Sequence, residues 1–256
     1  MCVVVYVTIP LKNGVLIDMK VEIWSDFVSP LCYIAKRKFE LALEKFEQKQ
    51  YVKVEYKSYV LHAHRQCTGS TWKDRLTEMC NVPRDKVDEW IEQITAQANE
   101  LNLPFYLDGF AATDTFDAHR LVKFAERKGK ALELVDLLFK HFFSRHTATA
   151  GNLNDRKILV DLGKRCGLNA AEVEALLTMN KYRRAVEDDE DLASEMGIEA
   201  IPFFVFNEKY ALVGNHPVEA FLEVLQETWN EDEEYFLKKA NRPSATTYCE
   251  GDECEL

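Results

Sequence analysis

The first sixty residues constrain the fold most, because they combine two strand patterns with a helical pattern between them. Residues 19–26 (MKVEIWSD) are predicted to form a strand, and a helix follows from Pro30 to about Gln48. The apolar residues of that helix recur at helical spacing and share one face. Residues 52–57 alternate between apolar and charged side chains, which indicates a half-buried strand. The start of the chain is therefore predicted to be a β-α-β unit.

The middle of the chain is predicted to be helical, and strand character returns near its end. Residues 203–206 and 210–213 flank a short turn and form a predicted hairpin. Gly214 separates this hairpin from an amphipathic helix over residues 218–229. The predicted helices of the middle cover residues 71–80, 85–100, 115–128, 131–145 and 155–166, then one helix capped by Asn169 with Glu172, and one that ends near Met196 with Gly197 as its left-handed stop.

This order of elements, β-α-β, many helices and then β-β-α, is the plan of thioredoxin with an insertion. We therefore predict an α/β protein with a thioredoxin-like fold and a large all-helical insertion. The discontinuous thioredoxin-like domain would comprise residues 19–61 and 198–229, and the inserted helical subdomain residues 62–197. Residues 230–256 would form an acidic, cysteine-containing tail.

Composition excludes several classes of partner. The net charge is −11, with 43 acidic against 32 basic residues, which argues against nucleic acid or an anionic membrane surface. No stretch approaches the ~20 apolar residues of a membrane span. The seven cysteines are odd in number and scattered, which favours a reducing cytoplasm over a disulfide framework. His62 and His64 lack a second half with ligand spacing, so no metal site is predicted.

Residues 29–32 (SPLC) stand where the first strand gives way to the first helix. A Cys-x-x-Cys motif at such a junction works because the helix N-terminus stabilises a thiolate that attacks a disulfide. Here the first position is Ser29, and a hydroxyl is too basic to ionise at neutral pH. The two-cysteine cycle therefore cannot run through Ser29 and Cys32. A purely structural explanation stands beside this one: serine is a favoured N-cap, proline a favoured first helical residue, and Cys32 lies on the apolar face.

The segment VEIWSDFVSPLCYIAKRKFE (residues 21–40) resembles the active-site segment of the DsbA-like thioredoxin-fold family, in its cytosolic FrnE-type branch. The resemblance continues over residues 115–130 (TFDAHRLVKFAERKGK) and residues 201–225 (IPFFVFNEKYALVGNHPVEAFLEVL). It extends to the tail CEGDEC, which holds Cys249 and Cys254. It covers nearly the whole chain, and its specificity comes from the combination of these segments.

The resemblance implies thiol–disulfide oxidoreduction on protein or small-molecule thiols and disulfides, without a required cofactor. It implies catalytic positions at Ser29 and Cys32 and an auxiliary redox pair at Cys249 and Cys254. It also implies a substrate-binding surface made by Pro30 and by Ile201 and Pro202, with a cis bond between the last two. The departure is Ser29, where the family has its nucleophilic cysteine. The serine is either natural or an engineered replacement, and in both cases the chain is expected to be weak or inactive in the two-cysteine cycle.

Two alternatives differ in kind from an oxidoreductase. Kappa-class glutathione transferases and 2-hydroxychromene-2-carboxylate isomerases carry S-P-x-S at this position, and DFVSPLCY (residues 26–33) is similar. That likeness implies a glutathione-dependent isomerase or transferase in which Ser29 binds the glutathione thiolate. The other alternative is a non-catalytic module that binds extended peptides near Ile201 and Pro202. Asp26 lies beside the site and is interpreted either as a residue that modulates a thiol there or as a solvated loop end. His119 is interpreted as structural.

Overall fold

One four-stranded sheet organises the chain in the computed structural model, which describes residues 18–61, 71–107, 113–144 and 152–240. The strand order is β2-β1-β3-β4. β1 pairs in parallel with β2, whereas β3 is antiparallel to both β1 and β4. The two ends of the sequence therefore meet in one sheet. The strands are β1 (Met19–Ser25), β2 (Val52–Ser58), β3 (Phe203–Phe206) and β4 (Tyr210–Val213).

Helices connect and cover these strands. A helix follows β1, seven lie between β2 and β3 in the described ranges, and one follows the hairpin. They are α1 (Pro30–Lys45), α2 (Trp72–Cys80), α3 (Val87–Glu100), α4 (Phe116–Arg127), α5 (Ala131–Phe143), α6 (Arg156–Arg165), α7 (Ala170–Thr178), α8 (Arg183–Glu195) and α9 (Val218–Ala240). Within the described residues, no helix combines the length and the apolarity that a membrane span requires.

The sheet is covered by helices on both faces, because its central strands are apolar on both sides. On one face, the Phe39 ring of α1 lies 5.6 Å from the Phe204 ring of β3 and 5.8 Å from the Phe221 ring of α9. On the other face, the Trp24 indole N–H donates to the carbonyl of Asp189 in α8, at 3.2 Å. The carboxyl end of β1 is thereby enclosed between two layers of helix.

The helix α4 lies at the centre of the helical part, since its residues from Ala118 to Ala125 are all buried. Such a helix must satisfy its polar side chains internally. Arg120 does so by donating to the carbonyls of Leu176 at 2.6 Å and Lys181 at 2.8 Å, and also to that of Met179. Its guanidinium thus satisfies carbonyls at and just beyond the end of α7, where the helix has no partners of its own.

The structure confirms the predicted fold class and most of the predicted elements. Asn169 caps α7 by accepting from the N–H of Glu172 at 3.2 Å, and Gly197 has the left-handed φ of 68° expected of a helix stop. One boundary was wrong. The last helix does not end at residue 229 but continues to Ala240, and Asp232 is buried on it where its carboxylate binds Lys209 at 2.5 Å. The division of the chain into domains stays a prediction.

Candidate active site

Ser29 forms the junction between the loop that leaves β1 and the first turn of α1. Its backbone is extended (φ −85°, ψ 115°), as an N-cap requires, and its hydroxyl oxygen accepts from the N–H of Cys32 at 3.2 Å. Pro30 occupies the first helical position, where a missing N–H costs nothing. The local sequence therefore fixes a hydroxyl group at the positive end of the α1 dipole.

Cys32 lies in the first turn of α1 but faces the core, and only 2% of its surface is exposed. Burial raises the pKa of its thiol to about 11, because the thiolate would lose its hydration. Hydrogen bonds from the Ser29 side chain, the Asp26 backbone and the Ser25 side chain oppose that rise without overcoming it. The Cys32 thiol is therefore neutral near pH 7 and enclosed by protein.

An aromatic cluster joins this first turn to the helical part. The ring of Tyr33 stacks on Phe139 and Phe143 of α5, with centroid distances of 5.2 and 5.3 Å. Phe27, in the loop before Ser29, contacts Phe139 edge-on at 5.6 Å. Burial raises the pKa of the Tyr33 phenol, so it stays protonated. These contacts fix the start of α1 against α5 through apolar area and ring geometry.

Asp26 and His119 meet beside the same loop. Asp26 is fully buried and His119 is 3% exposed. One carboxylate oxygen of Asp26, Oδ2, accepts from the backbone N–H of Leu61 at 2.6 Å. The other, Oδ1, lies 3.5 Å from Nε2 of His119. Among the residues that the structure describes, neither of these two buried atoms has a formed hydrogen bond.

The predicted cis bond between Ile201 and Pro202 is confirmed. Because Phe203 pairs with Trp24, Pro202 falls beside Ser25, where β1 ends and the loop to Ser29 begins. The carbonyl of Pro202 accepts from the N–H of Gly214 at 2.8 Å, which ties this turn to the end of β4. Ile201 is half-buried. Two segments that are distant in sequence thus come together at one edge of the sheet.

The structure brings together the predicted residues at the start of α1 and places Pro202 next to the strand that leads there. Their functional roles stay predictions. Cys249 and Cys254 lie outside the described residues, so their proposed auxiliary role stays a prediction as well. The sequence did not pair Asp26 with His119. One feature could have suggested this pair. His119 lies among the buried positions of α4, in the segment of the helical middle that carries the family resemblance.

The sheet has the strand order of this fold, a helix begins at the carboxyl end of β1, and a cis-proline turn lies beside it. Together with the inserted helical part, these features define a thioredoxin-fold protein of the DsbA type. The chain belongs to the family of DsbA-like thioredoxin domains, whose profile matches residues 20–226. Proteins of this family include thiol–disulfide oxidoreductases.

Solved structures agree with this assignment. A probable DsbA oxidoreductase from Streptomyces coelicolor is 31% identical, with a TM-score of 0.74 over 83% of this chain and 91% of its own. A 2-hydroxychromene-2-carboxylate isomerase is 15% identical, with a TM-score of 0.62 over 86% and 98%. The cytosolic disulfide reductase DsbM from Pseudomonas aeruginosa, solved with glutathione, is 18% identical, with a TM-score of 0.54 over 88% and 100%. The last two share the fold alone. No curated protein sequence matches the chain.

Proposed function

We propose that this protein binds glutathione at the N-terminus of α1 and uses the glutathione sulfur as its reacting thiol, in isomerase or transferase chemistry. The observation that supports this proposal best is the chemical state of the two residues Ser29 and Cys32 at the start of α1. A hydroxyl occupies the N-cap, and the neighbouring cysteine is buried with a pKa of about 11. The fold keeps the electrostatics of a thiolate site, while the site residues Ser29 and Cys32 do not supply an accessible thiolate.

Magnitudes argue against Cys32 as the nucleophile. A thiol with a pKa of about 11 is ionised to roughly one part in 10⁴ at pH 7, and the thiolate is the reactive form. Its 2% exposure limits access further. The two-cysteine cycle also needs a mixed disulfide at the first position, which Ser29 cannot form. Insulin reduction by this chain is therefore expected to be near background.

Ser29 has the properties needed to hold a sulfur anion supplied from outside. The hydroxyl oxygen is already used as the acceptor for the Cys32 N–H. The hydroxyl group can still rotate its proton towards an incoming thiolate. The dipole of α1 favours an anion at the same place. A thiolate bound here would be stabilised by the same physics that lowers the pKa of a cysteine at a helix N-terminus.

The turn at Ile201 supports binding of the peptide part of glutathione. β3 begins at Phe203, so Ile201 lies just before the strand pairing, with its backbone beside the end of β1. An extended ligand can pair with backbone groups in such a position. DsbM, which shares this fold, was solved with glutathione, and this supports glutathione as the ligand proposed here. The scattered cysteines favour a reducing cytoplasm as the location, where glutathione is abundant.

The test follows the absorbance of the thiolate of bound glutathione against pH, in the unsubstituted chain and in Ser29→Ala. The bound thiol's pKa should fall below its free value, and Ser29→Ala should remove most of that shift. Asn169→Ala is the matched control, because it removes an equivalent N-cap from α7 and should leave the titration unchanged.

Identical titrations for the unsubstituted chain and Ser29→Ala would contradict this function. So would an absence of glutathione binding at millimolar concentration. Binding of extended peptides without glutathione would favour the non-catalytic module instead, and efficient insulin reduction would require another thiol, with Cys249 and Cys254 tested first.

A further inference from the structure

A cavity of about 510 Å³ lies between α4 and α7, in the helical part of the protein. Its lining combines apolar side chains with three cations, Arg127, Lys128 and Lys181, and with one acid, Glu172. Ligand cavities in proteins typically measure about 300–1,000 Å³ and have an apolar lining with a few polar groups. The size and the lining of this cavity therefore fit a small organic ligand.

The charges of the lining indicate the sign of that ligand. Nζ of Lys128 lies 3.2 Å from a carboxylate oxygen of Glu172, so these two charges offset each other. Arg127 and Lys181 have no acidic partner in the described part of the chain. The protein as a whole carries a net charge of −11, and yet this cavity keeps two cations without a counter-charge. Such a pair favours an anionic group.

Aromatic rings hold the cations at the wall of the cavity. The guanidinium carbon of Arg127 lies 5.4 Å from the centroid of the Tyr182 ring, and Nζ of Lys128 lies 5.3 Å from that of Phe124. The two rings are themselves 6.0 Å apart. A guanidinium over a ring face is held in place while its N–H groups can still bind a carboxylate. A ligand with an aromatic ring can therefore contact the two rings while its charge reaches Arg127.

The turn that carries Lys181 and Tyr182 is held in one conformation by the rest of the fold. Tyr182 has a φ of 62°, in the left-handed region that an aromatic residue rarely adopts. The buried Arg120 donates to the carbonyls of Met179 and Lys181, and the carbonyl of Tyr182 accepts from the N–H of Val186 at 3.3 Å. Such conformations persist only where the surroundings enforce them, and they cluster at ligand sites. This wall of the cavity is therefore preformed.

A neighbouring cavity of about 420 Å³ shares Arg127 and Tyr182 as a common wall but differs in charge. Its second cation, Lys123, is already paired with Asp189 at 2.5 Å. Its acidic side chains are Glu126, Asp188 and Asp189. Because three acids would repel an anion there, the cavity between α4 and α7 is the favourable side of Arg127 for an anionic ligand.

We propose that the cavity between α4 and α7 binds a small anion built on an aromatic ring, whose carboxylate or similar group is held by Arg127 and Lys181. The ring of the ligand contacts Phe124 and Tyr182. The apolar floor of the cavity, which includes Leu176, excludes water from that contact.

This site is separate from the start of α1. His119, whose ring contacts Phe27 in the loop before Ser29, precedes Arg127 by eight residues on α4. That separation corresponds to about 12 Å along the helix axis. The inference therefore does not depend on the proposed function.

The test titrates the full chain with 2-naphthoate, an aromatic carboxylate, and with 2-naphthamide, its neutral amide, by ligand-observed NMR. We expect a dissociation constant of about 1 mM or below for 2-naphthoate. The amide should bind about tenfold more weakly, because it lacks the charge. Millimolar glutathione should leave the affinity for 2-naphthoate unchanged. Equal affinities for the two compounds, no binding of 2-naphthoate, or competition with glutathione would each overturn the proposal.

Variants locate the bound probe. Arg127→Met should weaken 2-naphthoate about tenfold and leave 2-naphthamide unchanged, and Lys181→Met should act in the same direction. Arg184→Met is the matched control, because it makes the same change in net charge at an exposed arginine of α8 that lines neither cavity. Its affinity for 2-naphthoate should equal that of the unsubstituted chain. An equal loss in Arg127→Met and Arg184→Met would show a response to net charge alone and would overturn the site, as would an unchanged affinity in both cavity variants.

Discussion

Replacing Ser29 by cysteine should convert this site into a working dithiol, because the missing component is a thiolate at the N-terminus of α1. Cysteines at helix N-termini have pKa values of about 3.5–7.5. At pH 7, Cys32, with a pKa of about 11, is ionised to only about one part in 10⁴. The thiolate fraction at position 29 would thus exceed that of Cys32 by a factor of at least ~10³.

Intrinsic nucleophilicity reduces this advantage, because a less basic thiolate attacks more slowly. With a Brønsted coefficient of about 0.45, the net ratio of rates over that pKa range becomes roughly 4- to 80-fold, largest for a pKa near 7. Burial changes the ratio little, since Cys32 is 2% exposed and Ser29 only 5%. Cys32 would then serve as the resolving thiol, and insulin reduction should rise by orders of magnitude.

The assay is alkylation by iodoacetamide at pH 7, resolved by peptide mass spectrometry so that each cysteine is read separately. Ser144→Cys supplies a matched control, since Ser144 is a partly exposed serine at the opposite, C-terminal end of a helix, α5. The new cysteine at position 29 should react faster than Cys32, and over a pH series its alkylation should rise at a lower pH than that of the control cysteine, a comparison that does not depend on the 5% exposure of Ser29. Equal thiol pKa values at positions 29 and 144, taken from that pH dependence, would show that the α1 N-terminus does not activate sulfur, and would refute the electrostatic reasoning behind the proposed function.

Three further predictions concern stability. Ser29→Ala and Asn169→Ala should each lower the free energy of unfolding, measured in urea, by about 1 kcal/mol, since each removes one N-cap. A loss above about 3 kcal/mol for Ser29→Ala would mean that Ser29 does more than cap α1. Arg120→Met should lower the free energy of unfolding by about 3–5 kcal/mol, because it leaves buried carbonyls and a carboxylate without their partner. Arg184→Met at the surface should change the free energy of unfolding by less than about 0.5 kcal/mol. Equal effects of the two substitutions would contradict the burial argument. The folded state raises the pKa of Cys32, so the unfolded state loses this proton first as the pH rises. The free energy of unfolding should therefore be constant in this respect below about pH 9 and should fall by up to about 3 kcal/mol between pH 9 and 11. Cys32→Ala should flatten that alkaline slope in denaturation midpoints measured against pH, and an unchanged slope would argue against the raised pKa.

The sequence by itself determined the elements and the chemistry of the α1 start. Alternation and helical periodicity predicted the strands and most helix bounds, because a side chain's face follows directly from its spacing along the chain. Ser29 and Pro30 read as a cap and a first helical residue, and both occupy those positions, since capping involves groups only three residues apart. Gly197 likewise predicted a helix stop from local backbone preference alone.

Only the tertiary structure decided the depth of the site and the identity of its neighbours. Cys32 fits a reactive and a core position equally well in sequence, and its pKa follows from how completely other segments bury it. The contact of Asp26 with His119 joins residues from different elements, and no local pattern encodes such a pair. The last helix continues past residue 229, and Asp232 on it binds Lys209 in the hairpin turn. From the sequence alone, the polarity of this segment had indicated a solvated tail. Packing between distant segments sets burial and charge environment, and those two quantities determine what the hydroxyl at Ser29 can do.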